Sequence, residues 1–548
     1  MLIDMRKTVF WLFICIGVIF IIIGTFLLVG IPIDGLVDDQ VVKRDWLGYT
    51  TDKNGSRVLN DITNSWLEPT YEMKLNIWMF NVTNVDDVVK RQAKPHLDEI
   101  GPFVFEEHQK KILNGFILND TRVIYRNLRF YHFNRNASCP SCNLDSRFVI
   151  PNIVFQKLVD AADETIFGVP IRIAVESVLR LSKEGPFVTV TAREALFDGY
   201  HDQLVDLVCE NKVLKFMCEI GVVQKKIGFF YGQNGTSVDG TFEVGTGQTE
   251  PRDIGHVFLW NNLTQMPNDT WDTPEARAIN GSDGQLFAPL MKSRDRLYIF
   301  VPQICRTIQM EYAAPVEFDG VTGWRYNPPT DFYDPALPKN IGFCNKNGSP
   351  RFFANKTVQP DSCLPAGFID LSRCQAGSPR VYLSQPHFYS SPNEVWQAVS
   401  GMAEPRKDKD ETYLDIEPTA GVPIRANRLM QINVGMVKGS LAMTANMTNV
   451  IVPVLWINET AVFDPDTRSQ LQALGTVRRF AFVGGISTLA LGLLAWLGAV
   501  LGVVVRQRDY SELQSDHGEE PRVGHENFAV NAALAPSTEM NSGVDLDL

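Results

Sequence analysis

Phe480–Val505 reads FAFVGGISTLALGLLAWLGAVLGVVV, a stretch without one charged side chain and longer than the roughly 20 residues that carry a helix across a bilayer. Near the other end, Val9–Ile31 (VFWLFICIGVIFIIIGTFLLVGI) is a second uncharged run. It exceeds the apolar region of about 7–15 residues typical of a signal peptide. No small-residue cleavage site follows, since the chain continues Ile31-Pro32-Ile33-Asp34, so the run is expected to be retained as an anchor. Two spans divide the chain into a tail (1–8), a first span (9–31), a large segment on one side of the membrane (32–479), a second span (480–505) and an acidic tail (506–548).

The side is set by two signals. Arg6 and Lys7 precede the first span and Asp34, Asp38 and Asp39 follow it, which places the N-terminus in the cytosol by the positive-inside bias. The second span is flanked by arginines at both ends, Arg478 and Arg479 before it and Arg506 and Arg508 after. The large segment carries twelve Asn-x-Ser/Thr acceptors, at Asn54, Asn81, Asn119, Asn136, Asn234, Asn262, Asn268, Asn280, Asn347, Asn355, Asn446 and Asn458, and the tails carry none. An extracellular or lumenal, glycosylated segment between two cytosolic tails is the expectation. The plasma membrane or the endosome–lysosome membrane is the expected location.

A chain of 548 residues that is 45% hydrophobic has enough apolar mass for a large core, in one big domain or two fused ones. A formal net charge of −12 argues against nucleic acid as a partner. Cys15 lies in the first span, and eight cysteines remain in the large segment: Cys139, Cys142, Cys209, Cys218, Cys305, Cys344, Cys363 and Cys374. An even number in an oxidising compartment points to disulfides rather than zinc. Cys139-Pro-Ser-Cys142 has redox spacing, but it sits in the polar loop NRNASCPSCNLDS and not at a helix start, where the thiol pKa would be depressed. A structural clip, or pairing with Cys209 and Cys218, is the expected use.

Alternation marks the body as mainly β. Tyr71, Met73, Leu75, Ile77 and Met79 fall on one face of a strand, as do Met430, Ile432, Val434 and Met436, and Leu128–Phe133 and Leu297–Val301 are further β-rich runs. Asn84 is read as the cap of a short helix through Val88 and Val89. Between about 151 and 213 the period changes to helical: Ile153, Val154, Leu158, Val159 and Ala162 follow Pro151 in a first-turn position, and Val178 and Leu204 mark two more apolar helices. After Val505 the acidic tail is expected to be disordered. Tyr510-Ser-Glu-Leu513 has the tyrosine-x-x-aliphatic pattern that clathrin adaptors read as an extended peptide. Gly498 and Gly502 are spaced for close approach of helices and suit a homo-oligomer.

Five blocks, KPHLDEIGPFVFEEH (Lys94–His108), GFFYGQNGT (Gly228–Thr236), LSQPHFYSSP (Leu383–Pro392), TYLDIEPTAGVPIRANRLMQIN (Thr412–Asn433) and IVPVLWINET (Ile451–Thr460), resemble the class B scavenger receptors. That family includes a fatty acid translocase, a high-density-lipoprotein receptor and a lysosomal integral membrane protein. The resemblance implies a mainly β fold with α: a large antiparallel β-barrel-like domain with a helical apex and an internal hydrophobic tunnel, anchored by two terminal transmembrane helices. It implies disulfides Cys305–Cys374 and, nested inside, Cys344–Cys363, leaving the other four cysteines open. Ligands would dock at the apex, where Arg172, Arg180 and Lys183 are the basic candidates, with acidic Asp160, Asp163 and Glu164 nearby. The implied partners are membrane lipids, fatty acids, sterols or lipoproteins, with a lumenal protein as the alternative. No cofactor is called for, and no G-x-S-x-G, H-E-x-x-H, phosphate-binding loop or dinucleotide fingerprint occurs.

Overall fold

The computed structural model describes residues 2–29, 31–44, 46–164, 168–219, 221, 223–292, 295–331, 333–345, 349–361 and 363–515. It divides into two compact units, the paired terminal helices and a body spanning Ile31–Phe480. The strands of the body are β1 (Tyr49–Thr51), β2 (Arg57–Leu59), β3 (Glu72–Val82), β4 (Leu97–Ile117), β5 (Arg122–Phe133), β6 (Arg147–Pro151), β7 (Phe187–Thr191), β8 (Thr241–Gly245), β9 (Val257–Trp260), β10 (Leu297–Val301), β11 (Arg306–Phe318), β12 (Val321–Asn327), β13 (Phe368–Asp370), β14 (Val381–Ser384), β15 (Tyr413–Glu417), β16 (Val422–Met436) and β17 (Val450–Val462). The helices are α1 (Leu2–Leu28), α2 (Ile31–Arg44), α3 (Asp61–Leu67), α4 (Val85–Arg91), α5 (Ile153–Asp163), α6 (Gly168–Ser182), α7 (Gln203–Glu210), α8 (Phe216–Glu219), α9 (Pro274–Arg277), α10 (Asn393–Trp396), α11 (Lys407–Asp410) and α12 (Pro465–Ser515).

One antiparallel sheet organises the body, in the order β10-β11-β12-β15-β16-β17-β3-β4-β5-β8-β9. Its centre joins the two ends of the chain: β17 pairs with β3 from Leu455↔Met79 to Val462↔Glu72. The edges are brought together by a short segment around Ser282, which bridges to His256 beside β9 and to Ile299 in β10. Near-closure of this kind hides the unpaired edges of a large sheet. Gly281 permits it. Its φ is +82°, and a Cβ there would lie 1.9 Å from the carbonyl oxygen of Tyr298, so only glycine lets the bridging segment lie flat on β10.

The alternation along β3 is realised: Leu75, Ile77 and Met79 are buried while Lys74, Asn76 and Trp78 are less so. A register shift after Ile77 adds Phe80 and Val82 to the core. The barrel interior takes Phe103, Phe105, Val454 and Leu455, all nearly fully buried, each contributing roughly 1.5–3 kcal/mol relative to exposure.

The helical segment packs as a separate cluster from α5, α6, α7 and α8 through Leu158, Val175, Val178, Leu204 and Val208. Three local expectations are corrected. Pro151 is the last residue of β6, paired with Phe187 of β7, and Asn152 caps α5 instead, accepting from the Phe155 amide at 2.9 Å. The run Phe187–Thr191 inside this segment is a strand. Asn84 does precede α4, but makes no side-chain cap; its amide holds the far loop, donating to Lys94 O and accepting from His96 N.

In the other unit α1 and α12 pack through small residues. A Cβ on Gly24 would fall 2.5 Å from the Leu489 backbone, and one on Gly492 2.8 Å from Gly17 O. Gly17 and Gly24, like Gly485 and Gly492, recur at the seven-residue interval of a left-handed helix pair. Gly498 and Gly502 have nothing within 4 Å. Helix α12 runs on to Ser515, so the first part of the acidic tail is helical rather than disordered as expected from its charge. Residues 516–548 lie outside the described residues.

Candidate functional site

Because side chains of one parity share one face of a strand, β4 carries a change of character along its inner face. Phe103 and Phe105 are followed by Glu107, Gln109 and Lys111. Their partners across β5 are Tyr131, Arg129 and Asn127. Farther round the same wall, beyond β3, Arg428 of β16 stands against Glu459 of β17. A polar belt thus crosses the inside of an otherwise apolar barrel.

Two cavities meet at that belt. The first, about 250 Å³, is lined by Ile153 and Val154 of α5, by Ile227, Phe229 and Phe230, and by Ile432 and Ile457. The second, about 240 Å³, is lined by Tyr71, Met73, Phe242, Met310, Leu414 and Phe463. Arg129, Val301, Gln303, Ile304, Leu383, Arg428, Met430 and Glu459 border both. Each space is far larger than the roughly 10–15 Å³ a single water needs. Apolar walls with a few placed polar groups are the usual make-up of a site for an amphipathic small molecule.

The belt is a network of buried charges. Arg129 meets Asp239 at 3.1 Å, and Asp239 also accepts from Gln303 at 2.6 Å. Burial alone would lower the Arg129 pKa, but Asp239, Tyr131, Glu107 and Glu459 together hold it above its ordinary value. Arg428 pairs with Glu459. Burial, reinforced by the Glu459 charge, pushes the Glu107 carboxyl up to about 7, while Gln109 donates to it at 2.8 Å. Burial lowers the Lys111 ammonium to about 8, opposed by Asp283; it donates to Trp66 O at 3.0 Å and to Gln285.

The basic residues expected to meet a ligand lie on the helical segment, away from the cavities. Arg172, Arg180 and Lys183 are exposed on α6 or just after it, and none borders either cavity. Arg172 donates to Ser440 O at 2.8 Å, with Glu176 3.9 Å away. Cys305–Cys374 and Cys344–Cys363 are bonded as the resemblance implied. The four open cysteines close as two short loops, Cys139–Cys142 and Cys209–Cys218. The first is a clip in its loop, with Arg135 donating to the carbonyls of Cys139 and Pro140.

Of the twelve sequon asparagines, Asn54, Asn119, Asn136, Asn234, Asn262, Asn268, Asn280, Asn355 and Asn446 are exposed. Asn81 in β3 and Asn458 in β17 are half-buried, and Asn347 lies outside the described residues. Tyr510 and Leu513 fall within the last turns of α12. Among the described residues no cluster of His, Cys, Asp and Glu is arranged to hold a metal ion.

The belt was missed by the sequence reading, although a signal existed. Arg428 extends the alternating face of Met430, Ile432, Val434 and Met436, and Arg129 shares the inward parity of Tyr125 and Tyr131. A charge that keeps the phase of a buried face is out of place on packing grounds.

Two apolar terminal helices, Phe10–Leu28 and the apolar part of α12 up to Val505, and a large barrel-like domain between them define a two-span membrane protein. The sequence model of the CD36 family matches residues 4–503, and the chain belongs to that family. It is 29% identical to lysosome membrane protein 2 of Mus musculus over 423 residues, covering 77% of this chain and 80% of the relative. It is 29% identical to scavenger receptor class B member 1 of Mus musculus over 451 residues, 81% and 79% of the two chains. With protein peste of Drosophila melanogaster the identity is 27% over 432 residues, 76% and 71% of the two chains. The protein is a class B scavenger receptor family membrane protein.

Proposed function

We propose that the protein is a lipid receptor that takes amphipathic molecules such as fatty acids, sterols or phospholipids into the barrel and conveys them toward the membrane. The two cavities joined at a common wall carry this reading. They offer apolar surface to an acyl or sterol body that would otherwise meet water, and the second extends to Val462 and Phe463, where β17 hands on to α12. Binding and transfer of this kind need no covalent step, and the protein acts as a receptor without enzymatic chemistry. Both termini are cytosolic in this reading, Arg172, Arg180 and Lys183 contact the incoming particle, and Tyr510 and Leu513 engage clathrin adaptors.

Photo-crosslinking tests it. The full-length glycoprotein in membranes, given a diazirine-bearing hexadecanoate or sterol, should yield crosslinked peptides from β14 and β16, and Met430→Trp should abolish them by filling the shared wall. Crosslinks confined to the spans, or unchanged by Met430→Trp, would sink the reading.

A second reading rests on a separate observation. Val169, Ile173 and Leu181 of α6 are 68%, 60% and 72% exposed, an apolar stripe with Arg172 and Arg180 beside it, which suits a lumenal protein partner. Ile173→Asp together with Leu181→Asp should remove such a partner while leaving lipid crosslinking intact.

A further inference from the structure

The polar belt has donors to spare at the point where the two cavities meet. Arg129 reaches Asp239 through Nη2, and Arg428 reaches Glu459 through its own Nη2. The Nε of each is shielded and has no acceptor among the described residues. Arg129 and Arg428 nonetheless keep 20% and 32% of their side-chain surface accessible. Both border the two cavities, so that surface is available to a molecule occupying either space. Gln303, held by Asp239, borders the same junction. Two guanidinium groups whose accessible surface faces a largely apolar chamber present forked donors to a planar or tetrahedral oxyanion.

We propose that Arg129 and Arg428 form an interior subsite for the anionic headgroup, carboxylate or phosphate, of a single-chain amphiphile whose tail lies in the adjoining apolar cavity. This rests on the lipid reading above and adds a station to it: the headgroup is stopped at mid-barrel rather than passing freely. Asp239 and Glu459 keep the arginines oriented while the chamber is empty. An entering oxyanion shares the guanidinium hydrogens with them, so its charge meets two cations rather than the apolar wall, with one negative charge in excess over the two ion pairs. An uncharged headgroup of the same chain length gains little here, because it supplies one weak acceptor where the site presents two cations.

Competition for the diazirine crosslink in the full-length protein tests the subsite, with hexadecanoate, hexadecanol and inorganic phosphate as competitors. The wild type should prefer hexadecanoate to hexadecanol by tenfold or more. Arg129→Gln with Arg428→Gln should lose that preference while keeping hexadecanol uptake, which also reports that the variant is folded. Arg129→Lys with Arg428→Lys, which keeps charge and loses the fork, should fall between. An undiminished preference in the glutamine variant, or an equal wild-type affinity for acid and alcohol, overturns the subsite while leaving the lipid reading standing. Displacement by millimolar phosphate alone would make it a bare anion site and overturn it likewise. Uptake of neither chain by the wild type overturns both readings. If the glutamine variant takes up no hexadecanol, the lysine variant decides: full retention of the preference there also overturns the subsite.

Discussion

His387 and Asp410 share a buried hydrogen bond of 2.9 Å through Nδ1 of the imidazole. On the other side of the ring Nε2 lies 3.3 Å from Glu99, which itself accepts from the Trp456 indole at 2.8 Å. One side chain thereby ties β4, the turn after β14, α11 and β17 together.

Burial alone would lower the pKa of His387, but the hydrogen bonds it donates to Asp410 and Glu99 raise it from 6.5 to about 9. A raised histidine pKa adds stability that is fully present below about 6.5 and is lost as pH rises through about 9. The size is on the order of 3 kcal/mol. Melting temperatures of the wild type should therefore fall between pH 7 and pH 9.5, and His387→Gln should be less stable at pH 6 with a flatter profile. Parallel profiles for the two would refute the clamp.

Glu107 has the opposite practical consequence. Its carboxyl is raised from 4.5 to about 7 by burial and by Glu459. The stabilising protonated form is fully present below about 4.5 and is lost as pH rises through about 7. Glu107→Gln should leave the melting temperature at pH 4.5 nearly unchanged. At pH 8 it should raise it by several degrees, corresponding to roughly 2–3 kcal/mol.

Asp415, with no exposed surface, receives Arg325 through Nε and Nη2 at 2.7 and 2.8 Å and Arg425 at 3.1 and 2.8 Å. Removing its charge strands two guanidinium groups against β15. Asp415→Asn should cost about 3–5 kcal/mol, read as a loss of folded protein from membranes or as early melting. Wild-type stability in that variant would show that the arginines relax into solvent.

The span pair gives a matched test. Gly24→Leu or Gly492→Leu places a side chain inside the neighbouring backbone and should lower the thermal stability of the detergent-solubilised protein. Gly498→Leu meets open space and should not. If the open glycines instead serve a homo-oligomer, Gly498→Leu will change the size of the solubilised complex without altering its melting.

Legibility in the sequence followed the range of the interactions. Spans and strands were readable because one residue's neighbours two, three or four places away decide them: Leu75, Ile77 and Met79 announce a face without help from the rest of the chain. The start of the tail, 506–515, departed from its reading for the converse reason, since its charge argued for disorder while α12 continues into it from the apolar span. The belt was invisible as a site because it is assembled across strands. Nothing near Arg129 in the chain names Asp239 or Gln303, and nothing near Arg428 says that it borders the same cavities. Arg172, Arg180 and Lys183 drew attention as local charge, yet Arg172 donates to the Ser440 carbonyl, in a segment far along the chain.

The pairing of β17 with β3 also governs how the protein is made. Asn76 and Asn458, joined in that pairing, are 382 positions apart, so the first long strand to emerge during synthesis has no partner on one side until nearly the last has been translocated. Loop closure over such a distance is slow, and the waiting edge is a template for association with other chains. The closed barrel interior does not exist during this interval, only its exposed apolar wall. Maturation in the secretory pathway, rather than ligand supply, is then the step at which this receptor is most readily lost.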